Sequence, residues 1–437
     1  MHSPEARLFL LESLETARSG RDSYGERGGG PFEPVALSAE QLQRNEALIA
    51  DLRGKLILAP LTRGGNVPFR RLCADFGADV TMSEMAFARN LIKNHPTERT
   101  RLKRAANEIC YGVQIATNNI GEGVKAGELA AASGARWLDL NCGCPIYEAS
   151  RRGLGAVLLR KPKKLARLVA GIASGIDIPF TVKIRTGENA GKVNAPEVVA
   201  LLQDAGAAAV TIHGRTMEQR YKKSADWTLI SDIAKASSVP LIGNGDILTH
   251  YEARHRLDGS HCLALMSGRG ALIKPWIFQE FKEGRCLDPD ARDRVAIYRQ
   301  FVAHCKEHFG DDAKGRQKAW YFLPWHFSFL CRYRPFPEEQ YGARALEHPL
   351  IATRWDVADE AIGQSADDLP LLERLLRCAN EQAHLEIAAI LWDSRTDQDA
   401  IVALEQLADS SLAAWEEDMR NTIDRDGRGR EDLVAEG

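Results

Sequence analysis

The sequence predicts an α/β protein built as a (β/α)8 TIM barrel followed by an all-helical C-terminal domain. Eight short β-type runs fall between residues 56 and 267, and most gaps carry a helix-like stretch rich in Ala, Leu and Lys. Beyond Trp276 those runs stop, and amphipathic helical patterns alternate with Pro-containing turns. The first run is followed by TRGGNVP, not by the GxGxxG turn that a doubly wound nucleotide-binding sheet needs.

In order along the chain, residues 1–45 open on a short helix-like piece and continue as SGRDSYGERGGGPFEP, which has too much Gly and charge to bury a core. A flexible arm is expected there. Strands are expected at residues 56–61, 80–85, 109–115, 137–141, 180–185, 208–213, 239–243 and 262–267. Helices are expected at 121–133, 163–174, 195–205 and 250–257. The barrel then occupies residues 46–285, the helical domain 286–415, and an acidic tail of disordered composition 416–437.

Bulk properties narrow the function. With 44% hydrophobic and 27% charged residues, 437 residues make an ordinary globular protein with room for more than one core. Nine cysteines, an odd number without paired CxxC spacing, argue against a disulfide framework or a zinc site, so no metal is expected. No signal pattern opens the sequence and no apolar run reaches a membrane-spanning length, so a cytoplasmic protein without a membrane partner is expected. The net charge of −3 conceals an asymmetry. From Ile351 onward there are 8 Arg, no Lys and 21 Asp plus Glu, which leaves 49 basic against 39 acidic residues before it. A basic body suits a polyanionic partner.

Strand ends are where a barrel gathers its chemistry. Here they present Pro60, Leu61 and Thr62; Glu84; Gln114; Asn141 and Cys144; Lys183; His213 and Arg215; Asn244, Gly245 and Asp246; Gly268 and Arg269. Cys144 lies in WLDLNCGCP, where Gly143 and Pro145 force a turn that leaves the thiol on a loop after a strand. Gln114 or His213 taken alone reads as structural. Lys183, between Val182 and Ile184, points into the barrel, where an unpaired ammonium is costly unless an electron-rich ligand meets it. GNGDILTHYEAR and GRGALIKPW place backbone amides and helix starts near one spot, a phosphate cradle with Arg269 as clamp. With Lys183 and Gln114, that cradle would hold a flavin mononucleotide (FMN).

These stretches resemble the tRNA-dihydrouridine synthase family. The resemblance is carried by LILAPLTRGGNVPFRRLCADFGADVTMSEM, YGVQI, LDLNCGCP, FTVKIRTG, VTIHGRT, PLIGNGDI and SGRGALIKPWIF, in order at successive strand ends from about Lys55 to Arg334. PLT-x-GN-x-PFRR, GRTMEQRYKKSADW and SFLCRYRP are most similar to the eukaryotic branch that acts on the tRNA variable loop, at position 47. Leu61 stands where the family usually has Met, and the zinc fingers of the eukaryotic branch do not precede this barrel.

The resemblance implies an FMN barrel with a tRNA-holding helical domain, reducing the uridine C5–C6 double bond at the expense of NADPH. FMN would be bound by Pro60, Leu61, Thr62, Gln114, Lys183, His213, Asn244, Gly245, Asp246, Gly268 and Arg269. Asn141 would hold the uracil, Arg215 would contact substrate, and Cys144 would donate the proton. No obligate protein partner is implied. Basic stretches at Arg99–Arg104, Arg151/Arg152, Arg160–Lys164, Arg220–Lys223 and Lys314–Lys318 would as a group track phosphates, while Arg332 and Arg334 fit either RNA contact or a packed helix. Two rivals remain. A barrel of the dihydroorotate dehydrogenase type would use the thiol as a base on a small pyrimidine, against which stand HGRT, the basic loops and the helical domain. An inactive RNA-binding scaffold would have no need of Gln114, Cys144, Lys183, His213 and Arg269 together.

Overall fold

The computed structural model describes residues 32–353 and 368–426. Eight parallel strands make the barrel: β1 (Leu56–Leu58), β2 (Val80–Met82), β3 (Cys110–Ala116), β4 (Trp137–Cys142), β5 (Phe180–Arg185), β6 (Ala209–His213), β7 (Leu241–Asn244) and β8 (Ala264–Ser267). They pair in chain order, and β1 pairs with β8 from Leu56↔Leu265 to Leu58↔Ser267, which closes the ring. The strands are buried almost throughout, as expected for parallel strands covered by helices. The covering helices follow the expected periodicity. In Pro162–Ala173, Leu165, Val169 and Ile172 face inward, each at most 1% exposed and each worth roughly 1.5–3 kcal/mol of burial.

Two compact units divide the described chain. The first holds the residues up to 65, 78–245 and 253–268; the second holds 66–77, 246–252 and everything from 269. Thus the second unit draws on three segments of the expected barrel, 66–77, 246–252 and 269–285, besides the region after residue 285.

The first unit begins earlier than the expected arm would allow. Helix Ala39–Leu52 starts inside residues 1–45 because Ser38 and Gln41 cap it reciprocally: Gln41 N donates to Ser38 Oγ at 3.2 Å, and Ser38 N donates to Gln41 Oε1 at 2.9 Å. Its Leu48 and Leu52 join Ile57, Val80, Ala208 and Ala264 in one apolar cluster at the amino-terminal end of the strands. The rest of the expected arm, residues 1–31, lies outside the described residues. β1 and β2 end sooner than their β-type runs. Pro60 has no N–H to give a ladder, and past Met82 the chain turns before a separate two-residue strand, Ala86–Phe87, that pairs with the end of β3.

The second unit is helical. Phe69 of Val67–Asp75 packs edge-on against Phe301 of Ala291–Phe309 at 5.8 Å, and Asp75 accepts from His304 at 2.7 Å. In the aromatic helix Leu323–Leu330, Leu323, His326, Phe327, Phe329 and Leu330 are buried; Arg334 is also buried and donates to the carbonyls of Cys331 and Tyr333. That stretch is packed core. The last helix, Asp397–Asp426, runs eleven residues into the segment read as disordered, while residues 427–437 lie outside the described residues. Acidic residues in this region have a structural use. Glu373, Asp393, Asp397, Glu405 and Glu416 pair with Arg294, Arg316, Arg299, Arg292 and Arg374.

Candidate active site

Alternate residues of a barrel strand face the interior, so cross-strand register decides which polar side chains meet. Gln114 of β3 stands beside Asp139 of β4, Asp139 beside Thr181 of β5, and Asn141 beside Lys183. A chain of hydrogen bonds runs through these layers. Thr181 Oγ1 donates to Asp139 Oδ1 at 2.6 Å, and Gln114 Nε2 donates to Asp139 Oδ2 at 2.8 Å. Asn141 Nδ2 donates to Gln114 Oε1 at 2.8 Å. Asn141 Oδ1 then accepts from Gly143 N at 3.2 Å and Cys144 N at 2.9 Å.

The Cys144 loop is pinned from three sides besides this one. Arg185 Nε donates to Gly143 O at 2.8 Å while its Nη1 donates to Thr216 O at 2.9 Å, joining the loops after β4 and β6. Ala156 N donates to Cys144 O at 3.0 Å, and Gly155 takes φ +67° so close to that carbonyl that a Cβ would stand 2.5 Å from it. The Cys144 side chain rests against the cluster of Met85, Ala116, Ala149 and Leu154. Burial pushes its thiol above the ordinary range, opposed by the Ile146 N–H and the charges of Arg185 and Lys183. Cys144 therefore keeps its proton at neutral pH.

Lys183 is partly buried, and its ammonium makes no hydrogen bond or ion pair among the described residues. Burial, followed by repulsion from Arg185, pulls its pKa down to about 8, against the attraction of Asp139 and Cys144. Burial likewise pushes Asp139 up to about 6, opposed by bonds from Thr181 and Gln114 and by the charge of Lys183. Neither Asp139, Thr181 nor Arg185 stood out as a site residue in the sequence. Their signal was present as alternation: LDLN and FTVKIR place polar side chains at every second position of a buried strand.

The remaining strand ends brace one another. His213 is buried, and its ring nitrogen lies 3.5 Å from Arg215 Nη1. Arg215, expected to meet substrate, is 2% exposed and donates to the Lys223 carbonyl, so it holds the loop after β6 together. Asn244 Nδ2 donates to Met266 O at 2.8 Å, and Trp227 Nε1 donates to Gly245 O at 3.0 Å. Pro60 and Leu61 are half-buried and Thr62 is exposed. At Gly268 a Cβ would reach ordinary contact with Leu61, 3.4 Å away. Within the second unit, buried Asp246 accepts from Arg269 Nη2 at 3.1 Å.

Residues 57–333 match the family model described as dihydrouridine synthase (Dus). The chain belongs to the dihydrouridine synthase family. Among its relatives, a human protein named tRNA-dihydrouridine(47) synthase [NAD(P)(+)]-like is 43% identical over 287 residues, 65% of this chain and 44% of that one. Proteins of the same name from Xenopus tropicalis and from rice are 42% and 40% identical, covering 68% and 66% of this chain and 46% and 43% of their own. The chain thus spans about half the length of the curated relatives it matches. A 2-naphthoyl-CoA reductase structure is similar at 12% identity and a TM-score of 0.43, over 54% of this chain and 50% of that one. Among the described residues no helix is long and apolar enough to cross a membrane.

Proposed function

We propose that this protein reduces a uridine of tRNA to 5,6-dihydrouridine, with FMN as its resident flavin and NADPH as reductant, and that position 47 is the target named by its relatives. The observation that carries the reading is a half-buried thiol fixed on the β4 loop, near a lysine whose ammonium makes no hydrogen bond or ion pair among the described residues. Such an ammonium fits a bound electron-rich ring. FMN would be held by Gln114, Lys183, His213, Asn244, Gly245 and Gly268, with Pro60, Leu61 and Thr62 at its edge. Reduced FMN, when bound, supplies a hydride to C6 of the uracil.

This chain's residues supply the rest. A stacked base must leave the RNA to enter a barrel mouth. Asn141, whose Oδ1 is occupied by the loop, presents its amide to the uracil. Negative charge developing along C4–C5 lies within the field of Lys183, and the Cys144 Sγ–H gives its proton to C5. A dihydroorotate-type barrel needs the thiol as a base, and burial shifts Cys144 against that use.

Contact with RNA is supported by a groove of about 400 Å³ lined by Asn118, Gly153, Lys161, Lys164, Leu165 and Arg167. Three of its lining residues are cationic, Lys161, Lys164 and Arg167. We propose that it takes phosphates. The test is direct: purified protein should be yellow and should form dihydrouridine in tRNA when given NADPH. A colourless protein, or flavin that NADPH reduces without any dihydrouridine appearing, overturns the reading.

A further inference from the structure

We propose that Asp139 is a positioning residue: through Gln114 and Asn141 its carboxylate fixes which way two side-chain amides face, and so where the Cys144 loop stands. This rests on the proposed uridine reduction. Asp139 is 1% exposed, so it touches no substrate, yet it is a buried acid that the proton donation does not use.

The physical case is one of direction. An ionised carboxylate only accepts hydrogen bonds, and a backbone N–H only donates. Gln114 and Asn141 each carry one oxygen and one NH2, which a half-turn of the amide exchanges. At one end of the relay the N–H groups of Gly143 and Cys144 require an oxygen, which makes Asn141 offer Oδ1 to the loop. At the other end Asp139 requires a donor, which makes Gln114 offer Nε2. Only then does Asn141 Nδ2 meet Gln114 Oε1, as it does at 2.8 Å. Thr181 Oγ1, donating at 2.6 Å, occupies the other carboxylate oxygen and keeps the acid from turning. Without an acceptor at position 139 the Gln114 NH2 faces a wall that cannot bind it. Gln114 then turns or slides, and its oxygen leaves Asn141.

Asparagine and leucine separate direction from charge. In Asp139→Asn the side-chain oxygen still accepts from Gln114, while the new NH2 donates to Thr181, so the relay keeps its sense. In Asp139→Leu, which keeps the branch at Cγ but is larger, no acceptor remains. The full-length flavin-loaded enzyme is expected to keep tRNA turnover within about threefold in Asp139→Asn and to lose at least thirtyfold in Asp139→Leu. Turnover is read per bound flavin, because Gln114 is also proposed to hold FMN, and an intact far-UV circular dichroism spectrum in both variants excludes a general loss of structure. Where the leucine variant yields no folded protein, Asp139→Ser, too short to reach Gln114, is read in the same way. Turnover retained without an acceptor overturns the proposal, and so does equal loss in the asparagine and leucine variants. Absence of tRNA turnover in the unmodified enzyme overturns the functional reading instead.

Discussion

Lys183 shows how one residue records a missing partner. Its ordinary pKa of 10.5 falls to about 8 on burial, so between those values the unfolded chain holds more protons than the folded one. Stability without flavin should therefore rise with pH across that window, and below pH 8 the buried charge costs the fold its full amount. Lys183→Met is expected to raise the thermal midpoint of the flavin-free protein at pH 7, to flatten the rise above pH 8, and to weaken FMN retention. A lower midpoint in that variant would mean that the ammonium has a stabilising partner after all. Cys144 makes the complementary case, since the bonds to its backbone N–H and carbonyl hold the loop and survive removal of the thiol. Cys144→Ala should keep its yellow cofactor and lose about 10²–10⁴ of its turnover on tRNA. Unchanged dihydrouridine formation would remove the thiol from the reaction.

At the scale of elements, Gln114, Asn141, Cys144 and Lys183 were legible in the sequence because each sits at the end of a strand whose apolar flanks are unmistakable. Asp139 and Thr181 were not, because their meaning depends on register between β3, β4 and β5, which no local pattern states. Arg215 shows a related feature: a charged residue in the loop after β6 donates to the Lys223 carbonyl of the same loop, a bond that no local pattern states. Basic stretches divide in the same way, since a run of arginines does not reveal the glutamates that face it. On helix Pro162–Ala173, Lys164 and Arg167 lie one turn apart and exposed beside Lys161. Lys164→Glu/Arg167→Glu should weaken tRNA binding at least tenfold and lower the slope of log affinity against log salt by about 2, while flavin reduction by NADPH is unchanged. An unaltered slope would move the RNA elsewhere.

Across the whole molecule, the charge asymmetry read from composition has a physical resolution that composition alone misassigns. The acidic residues after Ile351 look like a tail because they outnumber the cations near them in sequence, yet Asp393, Asp397 and Glu405 find partners on helices about a hundred residues earlier. Glu373 is the most buried of these links. It receives Arg294, whose side chain is 1% exposed, and Arg377 Nε at 2.6 Å, so one carboxylate is shared by two cations that are almost out of water. Removing a partner from a buried pair leaves an uncompensated charge, which typically costs about 3–5 kcal/mol. Glu373→Gln preserves shape and removes only the charge, so the whole of that effect is electrostatic. Chemical denaturation should show the loss as a lower midpoint with an unchanged slope. A loss below about 1 kcal/mol would mean that water reaches these arginines and that the acidic region does not hold its helices by charge.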